Sequence, residues 1–325
     1  MTTTAGRSLD AAPRRLLPAP RRGRASGVRL GRRAGYSFVA PFFILFAAFG
    51  LYPFIYTAWV SLHHVELTNI NKLTWTGAEN YIQLLKNPRF WNAFWNTFWI
   101  GVIGTVPQLL MALGLAHLLN YKLRGRTFFR VAMLAPYATS IAAATLIFAQ
   151  LYGRDYGLIN WLLHLVGIHP VDWESGTWTS KFAIGSIVIW RWTGYNALIY
   201  LAGMQSIPSD LYEAASIDGA SRWQDFRFIT IPSLRPTILF TIVTSTIGSV
   251  QIFGEPLLFA SGLTTAGGGL HQYQTLGLLM YEQGWSQFHL GQAAATAWIM
   301  FVIIVAIVGS VGLVARHNNR VAAGL

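Results

Sequence analysis

Six long apolar runs follow one another along the chain, separated by short polar segments. A helix needs about 20 mostly apolar residues to cross the hydrocarbon layer of a membrane, and each run reaches that length. The runs cover residues 36–60, 93–119, 128–151, 182–204, 237–260 and 291–314. The first run is too long for the core of a secretory signal and has no convincing small-residue cleavage site. The pattern therefore predicts an all-α integral membrane protein with six transmembrane helices.

The basic residues fall mainly on one side of this predicted membrane protein. Most of the 24 lysines and arginines lie before the first run, between runs two and three, between runs four and five, or after run six. The opposite segments hold Lys72, Lys86, Arg89, Arg154 and Lys181. Short cytoplasmic loops are enriched in lysine and arginine, so both termini are predicted to be cytoplasmic.

Composition supports lipid rather than water as the main solvent. The chain is 53% hydrophobic and 11% charged, whereas soluble domains carry about 25% charged residues. Its net charge of +12 is concentrated in residues 1–35, a proline-containing segment that we predict to be a disordered cytoplasmic tail. Such a tail also suits nucleic acid, but topology and anionic lipid account for its charge, so we expect membrane lipid and no nucleic acid as partner. Residues 36–315 then form the membrane domain, and residues 316–325 form a short cytoplasmic tail.

The segment 205–236, between runs four and five, carries the strongest local signals. Pro208 suits the start of a helix, and Asp210 with Glu213 has the spacing of a capping box. Gly219 suits the left-handed residue that ends a helix. A second helix is predicted to begin near Ser221 and to stop before Pro232.

The first of these two helices has a small apolar face formed by Leu211, Ala214 and Ala215. That face could lie on the lipid surface. Alanines bury little apolar area, however, and they allow another backbone to approach closely. A docking surface for a partner protein is therefore the more economical interpretation.

The same segment resembles that of a known family, the permease subunits of binding-protein-dependent ATP-binding-cassette importers. Their cytoplasmic signature is Glu-Ala-Ala, three residues and Gly, and this chain has Glu213, Ala214, Ala215 and Gly219 at those positions. The flanking residues resemble the carbohydrate branch, which includes maltose, cellobiose and glycerol-phosphate permeases; they are Ile207, Pro208, Asp218, Ala220, Ile231 and Pro232. The resemblance covers about residues 38–314. One departure is that Gly269 follows Thr265-Ala266-Gly267-Gly268, where relatives often have proline.

This resemblance implies a pore-forming permease subunit of an importer for a sugar or short oligosaccharide, in a bacterial plasma (inner) membrane. A disaccharide such as cellobiose, maltose or trehalose is favoured, and glycerol phosphate stays open. The implied partners are a second homologous permease, two ATPase subunits and an extracytoplasmic sugar-binding protein. The residues implied to couple to the ATPase are Glu213, Ala214, Ala215, Asp218, Gly219 and Arg222.

The chain itself is predicted not to be an enzyme. No Gly-Lys dipeptide occurs, so the sequence has no phosphate-binding loop of the Walker type. We expect no catalytic residue, metal site or cofactor in this chain, with ATP and Mg used by the partner ATPase subunits. The main alternative is a secondary transporter driven by an ion gradient, with Glu255 or Arg191 as the coupling group. A membrane-embedded enzyme is a third class, but no constellation of acid, base or nucleophile supports it.

Polar residues inside the fourth run fall on one side of a helix. Arg191, Trp192, Tyr195 and Asn196 span an arc of roughly 140° at 3.6 residues per turn. Charged groups are costly in hydrocarbon and usually face a cavity or a partner. Aromatic faces with hydrogen-bonding edges suit sugars, so this arc is a candidate substrate pathway. The alternative for Arg191 is that its side chain reaches the outer membrane surface, with Trp192 in the interfacial aromatic belt.

A second polar stripe follows the fifth run. Its members are Thr241, Thr244, Ser245, Gly248, Gln251 and Glu255, which share one face of a continuous helix. Small residues on such a face are most often sites of close helix packing, so residues 241–248 are expected to contact a neighbouring helix or the second permease. Gln251 and Glu255 are too large for that role and are further candidates for substrate contact, to which Gln108 could contribute.

Overall fold

The computed structural model describes residues 32–66, 69–121, 124–259 and 267–322. The predicted disordered tail lies almost entirely outside these residues, and so do Thr265 and Ala266 of the segment that departs from the family pattern. The backbone of the predicted carboxy-terminal tail is described only to Ala322. Main-chain contacts divide the chain into two units, residues 1–53 and 54–325, which are described separately below.

The described part of the first unit is helical throughout. Helix α1 (Arg32–Phe46) passes through a π-helical turn (Ala47–Leu51) into α2 (Tyr52–Ser61). Together they supply the 26-residue apolar segment Tyr36–Ser61, which matches the first predicted span. Its large apolar side chains within the first unit are exposed, as expected for a helix that lipid surrounds.

The second unit, which begins within α2, contains a feature that the all-α prediction missed. After α2, strand β1 (His63–Glu66) pairs antiparallel with β2 (Asn69–Trp75), with His63 opposite Trp75. In β1 buried and exposed residues alternate, as expected from the two-residue repeat of a β-strand. The all-α prediction is therefore wrong here, because four residues are too few for this alternation to stand out between longer apolar runs.

The rest of the second unit is helical. Its elements are α3 (Glu79–Lys86), α4 (Pro88–Asn120), α5 (Arg126–Ala138), α6 (Ile141–Leu151), α7 (Leu158–Leu165), α8 (Thr177–Gln205), α9 (Ser209–Ile217), α10 (Arg222–Gln224), a π-helical stretch (Asp225–Thr230), α11 (Ile231–Ser233), α12 (Arg235–Val250), α13 (Gly254–Leu258), α14 (Leu276–Tyr281), a π-helical turn (Glu282–Ser286) and α15 (Leu290–Ala322).

Four described helical segments are long and apolar enough to cross a membrane, and they correspond to predicted spans one, two, five and six. They are Tyr36–Ser61, Pro88–Asn120, Arg235–Leu258 and Leu290–Leu313. Helix α8 covers the fourth predicted span as one helix of 29 residues, although its many polar residues make it less apolar than these four. The chain is thus a helical, multi-pass membrane protein.

The third predicted span is not one straight helix. It consists of α5 and α6, which meet at an angle of 90°. Ser140 starts α6 as its N-cap, because its Oγ accepts a hydrogen bond from the main-chain N–H of Ala143 at 3.1 Å. Thr139 has an extended backbone and ends α5. The continuous span predicted for residues 128–151 is therefore wrong at this break.

Helix α8 lies at the centre of the second unit and packs along α4. Glycines allow the two backbones to approach closely: a Cβ atom on Gly185 would lie 2.7 Å from Cγ2 of Ile103. Two buried clusters follow α8 along its length, one around Ile184 and Ile187 and one around Tyr200 and Met204. This rigid pair of helices supports the cavity described next.

Candidate functional site

A cavity of about 690 Å³ lies beside α8 and is also lined by residues of α4, α5, α6, α12 and α13. Its volume falls in the range of about 300–1,000 Å³ that is typical of small-molecule sites. The structure brings all six predicted pathway residues to its wall: Arg191, Trp192, Tyr195, Asn196, Gln251 and Glu255. Gln108 lies there as well. Residues from separate spans thus converge on one site.

A buried ion pair crosses this wall. Nη1 of Arg191 lies 3.3 Å from Oε1 of Glu255, and the two side chains are only 8% and 7% exposed. Nη2 of Arg191 donates to the carbonyl oxygen of Thr139 at 3.4 Å. Arg191 therefore does not extend to the membrane surface, and that alternative is wrong. Its charge faces an opposite charge inside the protein.

Both partners of Arg191 lie next to interruptions in a helix. Thr139 ends α5, so its carbonyl group is free to accept a hydrogen bond from outside the helix. Glu255 lies in the first turn of α13, beyond the interruption at residues 251–253 that separates this helix from α12. Thr241 and Glu255 were predicted to share one face of a continuous helix. That prediction is wrong, because the helix ends at Val250.

The smaller residues of α12 divide into two groups. Thr241 is buried, and its hydroxyl oxygen lies 2.6 Å from the hydroxyl of Tyr200 on α8, as expected for a packing position. Thr244, Ser245 and Gly248 instead line the cavity. A Cβ atom on Gly248 would meet nothing within 4 Å, so tight packing does not explain this glycine.

Three aromatic rings form one side of the cavity. Tyr137 stacks on Tyr195 with ring centroids 4.6 Å apart, and Trp192 meets them edge-on at 5.2 and 5.9 Å. Amide groups lie next to these rings: Nε2 of Gln108 donates to the carbonyl oxygen of Trp192 at 3.3 Å, and Nδ2 of Asn196 donates to the same oxygen at 3.4 Å. The wall thus combines flat apolar faces with hydrogen-bonding edges.

A second cavity, of about 490 Å³, lies between α4, α12 and α15. Its lining is almost entirely apolar and includes Phe98, Leu109, Ile242 and Ile303. The polar side chains among its described lining residues are hydroxyls, and none is charged or an amide. The polar cavity is therefore the better candidate for solute binding.

The segment 205–236 forms two helical pieces, as predicted, but it is capped differently. Helix α9 begins after Pro208 with no side-chain cap, so the predicted capping box of Asp210 and Glu213 is wrong. Asp210 lies within the first turn, where its charge favours the helix dipole without closing the box. Gly219 has φ of +79°, the left-handed conformation expected there.

The second helical piece has a capping box of its own. The main-chain N–H of Ser221 donates to Oε1 of Gln224 at 2.7 Å, and the main-chain N–H of Gln224 donates to Oγ of Ser221. The helical stretch then continues through Pro232, contrary to the prediction that this proline ends it. Pro232 lies in α11, two residues after the end of the π-helical stretch Asp225–Thr230.

The two helical pieces are held to each other and to α4. The hydroxyl groups of Tyr212 and Thr230 lie 2.9 Å apart, and the ring of Phe226 packs 4.3 Å from that of His117. The predicted coupling residues Glu213, Ala214, Asp218, Gly219 and Arg222 are exposed, and Ala215 is partly buried. Large apolar side chains nearby are also exposed, including those of Ile217 and Trp223. An anchored element with an exposed, partly apolar face is typical of a protein interface.

A polar cluster that the sequence interpretation missed holds the segment between α13 and α14 against α4. Nε of Arg89 donates to Oε1 of Gln274 at 2.8 Å, and Arg89 also forms an ion pair with Glu282. Nδ2 of Asn96 donates to the carbonyl oxygen of His271 at 2.9 Å. Burial and the nearby positive charge of Arg89 lower the pKa of His271, against a weaker opposing effect of Glu282.

Comparisons with known proteins cover both the cavity and the segment 205–236. Residues 108–321 match a family described as a binding-protein-dependent transport system inner membrane component. The chain is 36% identical to a lactose transport system permease protein of Rhizobium radiobacter, over 88% of this chain and 95% of the relative. It is 30% identical to a trehalose/maltose transport system permease protein of Thermococcus litoralis, over 84% and 90% of the two chains.

The fold also resembles that of a solved structure. A bacterial alginate ABC transporter, in complex with an alginate pentasaccharide-bound periplasmic protein, contains a chain that matches with a TM-score of 0.74. The match covers 89% of this chain and 98% of the other, at 22% identity. The helical arrangement described above is therefore one that is known in a transporter.

Proposed function

Because the chain belongs to the family of binding-protein-dependent transport system inner membrane components, we propose that it forms the translocation pathway of an ATP-driven importer for a sugar or short oligosaccharide. The family is the membrane-spanning component of ABC transporters, and the ATPase is a separate subunit. The single observation that carries the sugar assignment is the cavity beside α8, with its three aromatic rings and surrounding amides.

The proposed substrate site follows from the chemistry of this wall. Sugars present C–H faces that pack on aromatic rings and hydroxyl groups that need both donors and acceptors. Tyr195 and Trp192 supply the faces, while Asn196, Gln108 and Gln251 supply amide groups. The lactose and trehalose/maltose systems among the relatives support a disaccharide as the substrate class.

The proposed topology has six spans, with both termini in the cytoplasm of a bacterium and the chain in its inner membrane. The bent pair of α5 and α6 is the third span, and α8 is the fourth. The breaks in the third and fifth spans support this assignment, because irregular backbone at membrane depth is tolerated where it lines a cavity. The segment 205–236 is then cytoplasmic.

That segment is proposed to couple the chain to ATP hydrolysis. Its exposed residues Glu213, Ala214, Asp218, Gly219 and Arg222, with Ala215, offer a docking face for an ATPase subunit. The complete importer contains a second permease, two ATPase subunits and an extracytoplasmic sugar-binding protein. The α8–α9 connection carries movement of the ATPase into α8, which bears the cavity. ATP and the loaded binding protein drive transport only if both favour the same conformation.

The experiment is transport by the complete complex in proteoliposomes. Radiolabelled lactose, maltose, trehalose and cellobiose are supplied outside with the binding protein, and either ATP or an ion gradient is the energy source. Uptake of one of these sugars that requires ATP is the expected result. Uptake that follows an ion gradient without the ATPase would instead establish the secondary transporter, with the buried pair of Arg191 and Glu255 as its coupling group.

A variant pair tests the coupling face. Glu213→Ala is expected to abolish sugar-stimulated ATP hydrolysis while the complex still assembles. Glu79→Ala is the matched control, because Glu79 is also exposed but lies in α3, away from the segment 205–236. Unchanged stimulated ATP hydrolysis in Glu213→Ala would remove the proposed role of this residue.

A further inference from the structure

The charged residues of the cavity cancel each other. Among the described residues that line it, Arg191 and Glu255 alone carry formal charge, and their side chains meet at 3.3 Å. The other polar lining groups are amides, hydroxyls and the indole N–H of Trp192. The described wall therefore offers a ligand no net charge.

Burial makes this cancellation strong. Both side chains are more than nine-tenths buried, so water screens their attraction much less than it screens a surface pair. The two terminal nitrogens of the guanidinium are both engaged, one with Glu255 and one with the carbonyl oxygen of Thr139. Nε of Arg191 is buried and has no hydrogen-bond partner within the described parts of the chain.

We infer that Glu255 is a specificity-determining residue, which makes the cavity accept uncharged saccharides and reject those with a carboxylate. An unpaired guanidinium in this position would form a charge-assisted, bidentate pair with a uronate. With Glu255 present, a uronate must either displace this carboxylate and leave it buried without a partner, or lie beside it and be repelled. A neutral hydroxyl group of a ligand neither displaces Glu255 from Arg191 nor is repelled by its charge, so it avoids both of these costs. The inference rests on the proposed role of the cavity as the sugar site.

The test is equilibrium binding to the purified membrane complex of two permeases and two ATPase subunits in lipid nanodiscs. The binding protein is left out, so that its own sugar selectivity does not affect the result. Lactose, maltose, trehalose and cellobiose are titrated first. For the sugar that binds, the same disaccharide oxidised at C6 to the uronate and the same disaccharide with an amino group at C6 are then compared. The variants are Glu255→Gln, Glu255→Asp, Arg191→Gln and the double variant Arg191→Gln/Glu255→Gln.

The expected result is a change in charge preference, measured in each variant as the affinity for the charged disaccharide relative to that for the neutral disaccharide. Glu255→Gln should bind the uronate about ten- to a hundredfold more tightly than wild type, the range that one charge-assisted contact supplies. The gain should weaken as salt is raised, and it should be lost in Glu255→Asp and in the double variant. Arg191→Gln should show the mirror effect, with tighter binding of the amino sugar. This second variant gives a readout that does not depend on the stability of Glu255→Gln.

Two outcomes would contradict the inference. One overturns only the role of Glu255, and the other overturns the proposed function as well. If the variants bind the neutral disaccharide but their affinities for the uronate and the amino sugar match those of wild type, the role of Glu255 is overturned while the sugar site stands. If neither wild type nor any variant binds a neutral disaccharide, and the complete importer does not transport one, the proposed function itself is overturned.

Discussion

Gly194 of α8 lies directly against the main-chain carbonyl group of Met133 in α5. A Cβ atom added at Gly194 would overlap that oxygen, so only glycine allows the two helices to approach this closely. Tyr137 and Thr139, which lie one to two turns further along the chain, reach the cavity and Arg191 from the same side. The contact therefore helps to position the third predicted span beside the fourth.

We predict that Gly194→Ala destabilises the protein by about 1–3 kcal/mol, the usual range for forcing a methyl group into a packed interface. Thermal unfolding of the purified protein in detergent measures the loss. Gly114→Ala in α4 is the control, because a Cβ atom there would meet nothing within 4 Å. Equal melting temperatures for the two variants would show that α5 does not depend on this contact.

A hydroxyl pair joins α8 to α12, and its hydrogen-bond direction can be assigned. Thr241 Oγ1 donates its single hydrogen to the carbonyl oxygen of Ile238 at 2.9 Å, so the hydroxyl of Tyr200 donates to Thr241. Tyr200→Phe removes only this donor and is predicted to cost about 0.5–1.5 kcal/mol. A double-mutant cycle with Thr241→Val measures the coupling by thermal unfolding. Additive effects of the two substitutions would show that the pair contributes nothing.

The aromatic wall leads to a prediction for sugar affinity. Tyr195→Ala removes the ring that stacks on Tyr137 and should weaken binding of the neutral disaccharide by about 1 kcal/mol, or roughly fivefold, the contribution typical of a ring contact. Tyr195→Phe keeps the ring and is the matched control. The affinities are compared by titration of the complex in nanodiscs. An equal loss in Tyr195→Phe and Tyr195→Ala would assign the effect to the hydroxyl group rather than to stacking.

His271 gives the segment between α13 and α14 a dependence on pH. Its pKa is lowered in the folded protein, so the unfolded chain binds more protons as pH falls through the ordinary value near 6.5. The contribution of neutral His271 to the free energy of unfolding is therefore complete above about pH 6.5 and declines as the medium becomes more acidic. Nη2 of Arg89 lies 3.4 Å from Nδ1 of His271, and protonation would set these two positive groups against each other.

The expected outcome is that wild type loses thermal stability between about pH 7 and 5, and that His271→Asn loses less over the same interval. Asparagine is suitable because the residue has φ of +55°, which asparagine tolerates better than most residues. His164→Asn, at an exposed position, is the control. Identical pH profiles for wild type and His271→Asn would contradict the assignment.

Much of the architecture could be predicted because length and apolarity are local properties of the sequence. The spans at α4 and α15 needed nothing more than an unbroken apolar run, and the arc from Arg191 to Asn196 follows from helical geometry alone. Gly219 could also be predicted, because a positive φ restricts the choice of residue.

The features that could not be predicted depend on contacts between distant parts of the chain. Tyr137 of α5 and Ile141 of α6 line the cavity on either side of the bend at Thr139, and nothing in residues 128–151 alone reveals a bend of 90°. Glu255 lies at the cavity although α12 ends at Val250, so its position there does not follow from the continuous helix that the sequence suggested. Arg89 looked like an ordinary loop charge, because its partners Gln274 and Glu282 lie far along the sequence.

The interrupted helices have one mechanical consequence. Arg191 holds Thr139 at the first break and Glu255 just beyond the second, and α13 packs directly against α6. A tilt of α6 or α13 relative to α8, which carries Arg191, is therefore expected to displace the other. The guanidinium group of Arg191 thus links the two interrupted helices, so that they are expected to move together. Separating them requires the loss of the contacts of this one side chain and not the unwinding of a helix.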